Sequence, residues 1–337
     1  MAGRNPSEIR TGRSSSEEPK GPTGMSPSSW WASLRRTVRE FQDDSLTDLA
    51  AGLTYYAILS LFPALLVLVS LVGLASPSAT QTLVENASGA MPEQAGQLLT
   101  TAIESLQGNR AAAGVFGLIS LAVALWSASG YVAAFMRASN VIYDVPEGRP
   151  IWKTLPIRVG VTLLLVILMS LTVIGVAVSG GVAEWVGNLL GLGSVAVTVW
   201  GIAKWPVLLF MVVFMITLLY WASPNARRGL RWVSPGGVLA VVLWLVASVA
   251  FAFYVANFAS YGQTYGSMAT VVVFLVWLWI SNIALLLGEE FNAEIERGRA
   301  MSEGQPEDVE PYVDMRQVPK QKRRVPKQEQ GAYHRQG

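Results

Sequence analysis

Six stretches of roughly 20 or more mostly apolar residues, near 46–75, 111–136, 157–178, 205–222, 233–257 and 267–289, constrain this chain more than any motif does. A hydrocarbon core about 30 Å thick needs about 20 apolar helical residues to cross it, so each stretch reads as a membrane span. The basic residues sort themselves around that pattern. If the chain starts inside, all of its 25 Lys and Arg except Arg110 and Lys204 fall on the inner side. Cytoplasmic loops retain positive charge, so the alternation predicts an N-in, C-in topology and agrees with an even number of spans. The fold class that follows is an all-α, polytopic membrane protein of six transmembrane helices.

The residues divide into four parts. Residues 1–29, rich in Ser, Pro, Gly and charge, read as a disordered cytoplasmic tail. Residues 30–44 read as an amphipathic helix, with Trp30, Trp31, Leu34, Val38 and Phe41 on one face and Arg35, Arg36 and Arg39 on the other. Such a helix lies on anionic lipid or packs on the cytoplasmic loops. Residues 45–293 form the six-helix domain. Residues 294–337 read as a disordered charged tail, acidic from Glu303 to Asp314 and basic from Lys320 to Lys327, which tethers to anionic lipid or stays solvated.

Polar residues inside the apolar stretches are the candidates for function. In the first span, Gly52, Tyr56, Ser60 and Pro63 lie along one side, and Tyr55 and Tyr56 stand deeper than an interfacial aromatic belt. Pro63 lacks an N–H and leaves the Leu59 carbonyl free, so this face is polar and bent. It lines a cavity or packs closely with its hydroxyls satisfied. Asp43, Asp44 and Asp48 read as helix-start chemistry, with Ser45 and Asp48 forming a capping box. The gap at 76–110 predicts an outer amphipathic helical hairpin, either a lid or a fixed cap. Ser120, Ala124 and Ala128 make a small-residue ridge that permits self-association, so a homo-oligomer is open to the chain.

Lys204, between Trp200 and Trp205, snorkels to the headgroups or binds an anionic one. The polar connection 257–267, with Tyr265, adds to the cavity candidates because non-helical backbone at membrane depth needs protein or water around it. Asn282 lies in the inner half of the last span. Counting at 1.5 Å per residue puts Glu289 and Glu290 at the cytoplasmic surface, where Arg227, Arg228 or Arg231 would pair with them. The substrate-path set is therefore Tyr55, Tyr56, Ser60, Pro63, Tyr265 and Asn282.

Chemistry is sparse. The chain has no Cys and a single His, His334, which excludes thiolate sites and leaves no His–carboxylate cluster for a metal-dependent nuclease. No cofactor and no nucleic-acid partner is implied, and the partners are membrane lipids, with anionic lipid at the basic terminal segments. A translocator of a lipid or small amphiphile fits the cavity features. A non-transporting scaffold for envelope integrity is the alternative, and catalysis is not expected.

Residues 45–293 resemble the YihY/BrkB membrane proteins, some of which carry the older name ribonuclease BN. The resemblance rests on Leu49 to Ala57 with Ser60-Leu61-Phe62-Pro63, Trp126 to Gly130, Asn140 with Tyr143, and Glu147 with Arg149. It continues through Tyr220, Pro224-Asn225, Pro235-Gly236, Trp244, Tyr254, Tyr265-Gly266-Ser267 and Gly288 to Asn292. Glu289 departs from the pattern, which more often has Ala there. The resemblance implies an all-helical protein of the bacterial inner membrane and supplies no settled biochemical activity.

Overall fold

Apolar stretches of this length satisfy their backbone groups internally only as helices, and the computed structural model is helical throughout its described membrane segments. It describes residues 27–75, 115–189, 194–257, 267–306 and 310–319. Seven helices fall within them: α1 (Pro27–Asp43), α2 (Leu46–Ala75), α3 (Val115–Ile142), α4 (Ile151–Leu189), α5 (Ser194–Ala222), α6 (Leu230–Asn257) and α7 (Ser267–Ser302). Four are long and apolar enough to cross a membrane, over Ile151–Val173, Thr198–Ala222, Pro235–Ala256 and Val271–Ser302, and Leu46–Leu61 is a shorter apolar stretch. The hairpin predicted at 76–110, the connection holding Tyr265 and the basic block from Lys320 lie outside the described residues.

Successive helices α2 to α7 alternate in direction and close a ring, α2 on α3, α3 on α4, and so on to α7 against α2. One closure uses two glycines where nothing larger fits. A Cβ on Gly236 would strike the backbone carbonyl of Gly288 and the side chain of Asn292, and one on Gly288 would strike Gly236 and the Tyr220 hydroxyl. Here α6 and α7 cross backbone to backbone, and Asn292 Oδ1 accepts the Gly236 N–H at 2.8 Å.

The ends of α3, α5 and α7 and the starts of α2, α4 and α6 gather at one pole, and burial is concentrated there. Leu46, Leu53, Phe135, Tyr220, Leu286 and Ile295 are almost fully enclosed. Away from it the described side chains open out: Phe210 on α5 is 68% exposed, Val249 and Phe253 on α6 71% and 73%, and Val272 on α7 57%. On α5, exposed Trp205, Val207, Leu209 and Phe210 point in several directions at 100° per residue, wider than a single outward stripe.

Helix α7 runs unbroken past residue 293 to Ser302. Residues 310–319, expected in a disordered tail, form a strap packed across the polar pole. Its backbone pairs with the α5–α6 loop: Ala226 and Met315 form an antiparallel bridge, Arg227 N–H donates to Asp314 O at 2.7 Å, and Arg316 N–H donates to Asn225 O at 2.9 Å. Charge density alone reads as disorder; backbone pairing with a loop almost 90 residues earlier in the chain overrides it.

Gly236→Ala or Gly288→Ala must push α6 from α7 against a backbone that has no rotamer to yield. Each change should cost about 3 kcal/mol, at the upper end of overpacking. Thermal unfolding in detergent checks this, alongside Gly52→Ala, whose Cβ meets nothing within 4 Å and should leave stability unchanged apart from helix propensity.

Candidate functional site at the polar pole

The pole is built from polar side chains buried at helix ends, and it comprises three connected networks. The deepest centres on Glu289 of α7. Its Oε2 accepts the Ser139 hydroxyl at 2.8 Å, and its Oε1 faces the Arg228 guanidinium at 3.7 Å, with both charged side chains fully buried. Arg228 stacks over the Tyr143 ring at 4.1 Å, donates to the Tyr143 hydroxyl and donates to the Tyr220 carbonyl. Arg228 Nε and Glu289 Oε1 have no hydrogen-bond partner among the described residues. An ion pair this deep survives only because each charge faces the other.

The second network fixes the loops. Glu147 takes both prongs of Arg149, at 2.8 and 2.7 Å, and the amide of Asn140 at 3.0 Å. Burial raises the Glu147 carboxyl, but these hydrogen bonds outweigh it and hold the group below the usual carboxylate range. Arg149 carries the fork on to the carbonyls of Ser223 and Pro224. Asn225 then works in both directions: its amide donates to Pro146 O at 3.0 Å and Gln317 O at 2.7 Å, and its Oδ1 accepts Gln317 N–H at 3.1 Å. Three segments far apart in the chain meet on one asparagine.

The third network docks α1. Glu294 pairs with Arg36, while Arg297 reaches Glu40 at 2.9 Å and Glu294 at 3.3 Å. The Glu294 carbonyl also accepts from Ser33 and Arg36. The helix predicted at 30–44 thus uses Arg36 and buried Ser33 and Thr37 to pack on α7, with Trp30 against Phe291, and leaves Trp31 and Val38 about two-thirds exposed.

Between these networks lies a cleft lined by Glu40, Asp44, Asp144, Glu290, Glu294 and Arg297, with Tyr312 and Val313 of the strap on its wall. Asp44 is not simply a helix cap. Ser45 adopts a left-handed conformation, φ 51°, and its carbonyl receives the first N–H groups of α2. That turn leaves Asp44 facing Glu290 across the cleft, carboxyl to carboxyl. Burial pushes Asp44 up to about 6, with Asp144, Glu40 and Asp43 adding to the rise against the Glu290 hydrogen bond. Asp144, more open, is also pushed up to about 6, first by burial and then by Glu310 and Glu40. The described residues hold no group of three or more His, Cys, Asp or Glu arranged to take a metal ion.

The positions picked from sequence are distributed as follows. Ser60 is buried: it donates to Ser127 O at 3.3 Å and accepts the Tyr131 N–H at 3.2 Å. Asn282 is buried, accepting Tyr131 O–H at 2.8 Å and donating to Thr54 Oγ1 at 3.1 Å and Leu278 O at 3.0 Å. Together they knot α2, α3 and α7. Tyr56 lies beneath the Arg137 guanidinium and edge-on to Tyr55, and Pro63 is half-buried within continuous α2. Tyr55 turns outward, 60% exposed, because neighbouring helical residues diverge by 100°. Lys204 lies over Trp205 at 5.7 Å.

Glu289 and Glu290 require a correction. Neither is at the surface, because the strap and α1 cover the pole beyond them. Arg228 faces Glu289, Arg227 is exposed, and the Arg231 side chain lies outside the described residues. Glu290 faces Asp44, so an acid and not a base is its neighbour. The residues sequence reasoning passed over are Asp44 as a partner of Glu290, Ser139, and the Asn225–Gln317 lock. Asn140, Glu147, Arg149 and Asn225 were visible as motif residues, with no sign of what they bind.

An up-and-down ring of long apolar helices sealed at one pole by buried ion pairs defines a polytopic helical membrane protein. More specifically, the chain belongs to the family described as virulence factor BrkB, whose profile matches residues 37–311. It is 29% identical over 274 residues to YfkH of Bacillus subtilis, named a ribonuclease-like protein, with 81% of this chain and 96% of the relative covered. It is 32% identical to a UPF0761 membrane protein of Alkalilimnicola ehrlichii, covering 75% of this chain and 56% of that one. A UPF0761 membrane protein of Aeromonas salmonicida is 28% identical, over 75% and 85% of the two chains. No solved structure matches the chain.

Two measurements test the pole. Arg228→Met should cost about 3 kcal/mol or more by leaving Glu289 buried without its partner, and adding Glu289→Gln should recover most of that loss in thermal unfolding. Asp44 and Asp144 bind protons more tightly folded than unfolded, so their contribution weakens stability as pH rises from about 4 through about 6 and is level above. Melting at pH 5 and pH 7.5 should show the lower stability at pH 7.5, with Asp44→Asn shrinking the difference.

Proposed function

We propose that this chain is a translocator of a lipid or small amphiphile in a bacterial inner membrane, with six spans and both termini cytoplasmic. The observation that carries this reading is the gradient of packing. The ring is shut by buried ion pairs and hydrogen bonds at its polar pole, while its described side chains beyond that pole are apolar and open in several directions. A barrier at one face with loose apolar walls towards the other is the arrangement alternating access requires of one state. Sparse charge in the middle of the helices favours an amphiphile over an ion as cargo. The shared location of α1, the inner loops and the strap supports the cytoplasmic placement, since the basic residues gather there.

Nothing in the described residues recommends hydrolysis. The chain's one His is His334, and the ribonuclease-like name belongs to a relative whose name alone supplies no ligand set.

A specific observation favours the scaffold reading as second. Ser60 and Asn282, placed on the candidate path, are occupied in the knot that joins α2, α3 and α7, so the path opens only if that knot breaks. The two readings part in proteoliposomes carrying fluorescent phospholipids. A translocator should speed flipping at least about tenfold over empty vesicles, and Asn282→Ala, by weakening a barrier of order 1–2 kcal/mol, should change that rate severalfold. A folded protein that accelerates no phospholipid tested would leave the scaffold.

A further inference from the structure

Two arginines at the edge of the bundle have no part in the networks at the pole. Arg137, near the end of α3, donates to the Ala133 carbonyl one turn back at 3.1 Å and lies over the Tyr56 ring at 5.1 Å. Arg158, in the second turn of α4, donates to the Ser129 hydroxyl at 2.9 Å and lies over the Trp126 ring at 4.6 Å. Ser129 in turn donates to the Trp126 carbonyl at 2.6 Å. The two arginines flank one stretch of α3: Arg158 binds Ser129, and the next residue, Gly130, packs against the Tyr56 ring that Arg137 covers. Neither meets a carboxylate among the described residues, although arginines elsewhere at the pole do.

Two guanidiniums set on neighbouring aromatic faces with no described carboxylate in contact offer donors that an anion would complete. We propose that Arg137 and Arg158 form a binding site for the phosphate of an anionic phospholipid headgroup at the α2–α3–α4 groove. The surroundings match a lipid in both halves. Each guanidinium uses only some of its five N–H donors internally, which leaves N–H groups for phosphate oxygens. Beside them Trp126 and Tyr55 stand 54% and 60% exposed, with Ile58, Leu59 and Val123 also exposed for the acyl chains. The site differs from the basic terminal segments: it is fixed on three helices and seated below the ends of α3 and α4. It goes beyond the translocator reading, because binding is read without movement of lipid and holds for a scaffold as well.

The experiment places the full chain in nanodiscs of phosphatidylcholine containing a minor share of phosphatidylglycerol and counts retained phosphatidylglycerol by native mass spectrometry. The wild type should retain the anionic lipid. Arg137→Gln with Arg158→Gln should weaken retention at least about tenfold, the loss of one good charge-assisted contact or more. Arg158→Lys, keeping charge without the fork, should fall between, and melting temperature and monodispersity identify any variant that misfolds. Inorganic phosphate or glycerol phosphate displacing the lipid at millimolar levels would keep the phosphate chemistry but assign the site to a soluble anion. Equal retention by wild type and a folded double variant would overturn the proposal. Flipping measured on the same variants separates the two ideas, since lost binding with unchanged flipping removes this site from the path and leaves the translocator standing.

Discussion

The Arg228–Glu289 pair is the constraint around which the pole is organised. An isolated charge at that depth would be paid for in several kcal/mol of lost hydration, so the chain needs both partners and a dry, shaped pocket around them. Tyr143 stacks on the guanidinium, Ser139 supplies the carboxylate with a donor, and Tyr220 anchors to the Leu285 carbonyl beside it. These residues come from α3, the loop after it, α5 and α7. Once the pair forms, the angles at which those elements meet are fixed. The glycine crossing of α6 and α7 serves the same end, since only that close approach brings Asn292 within reach of Gly236.

Polar groups inside the ring follow the same rule. Thr54, Ser60, Tyr131 and Asn282 would each be expensive alone in an apolar bundle, and together they satisfy one another. An exception among the described residues is the cleft, where Asp44, Asp144 and Glu290 outnumber the nearby cation, Arg297, which Glu40 and Glu294 already occupy. Protonation is how such a cluster lowers its own cost. That makes the junction of α1, α2 and α7 a pH-sensitive part of the described structure.

The helices were legible because membrane crossing demands long apolar runs, and an apolar run announces itself without reference to any other part of the chain. Asn282 was legible for the complementary reason, being a polar residue where few are tolerated. The depth of Glu289 was not. Counting residues along a helix measures distance from its start, and it cannot know that α1 and a strap more than 20 residues further on will cover its end. The strap itself was hidden by its charges, since Asp314 and Arg316 look solvated in one dimension. Their backbones pair with Arg227 and Asn225, and no local pattern encodes a partner about 90 residues away. Arg137 and Arg158 were counted only as inner-side charges, because their convergence depends on how α3 and α4 face each other.

The strap also sets an order of events in biogenesis. Residues 310–319 leave the ribosome after the seven described helices, yet Asn225, in a loop synthesised much earlier, has its hydrogen bonds completed by Gln317. Until translation passes that point the α5–α6 loop carries unmet polar groups, and the polar pole is unsealed. The protein therefore reaches its closed form only after the described helices are made, and that interval separates an unfinished chain from a finished one.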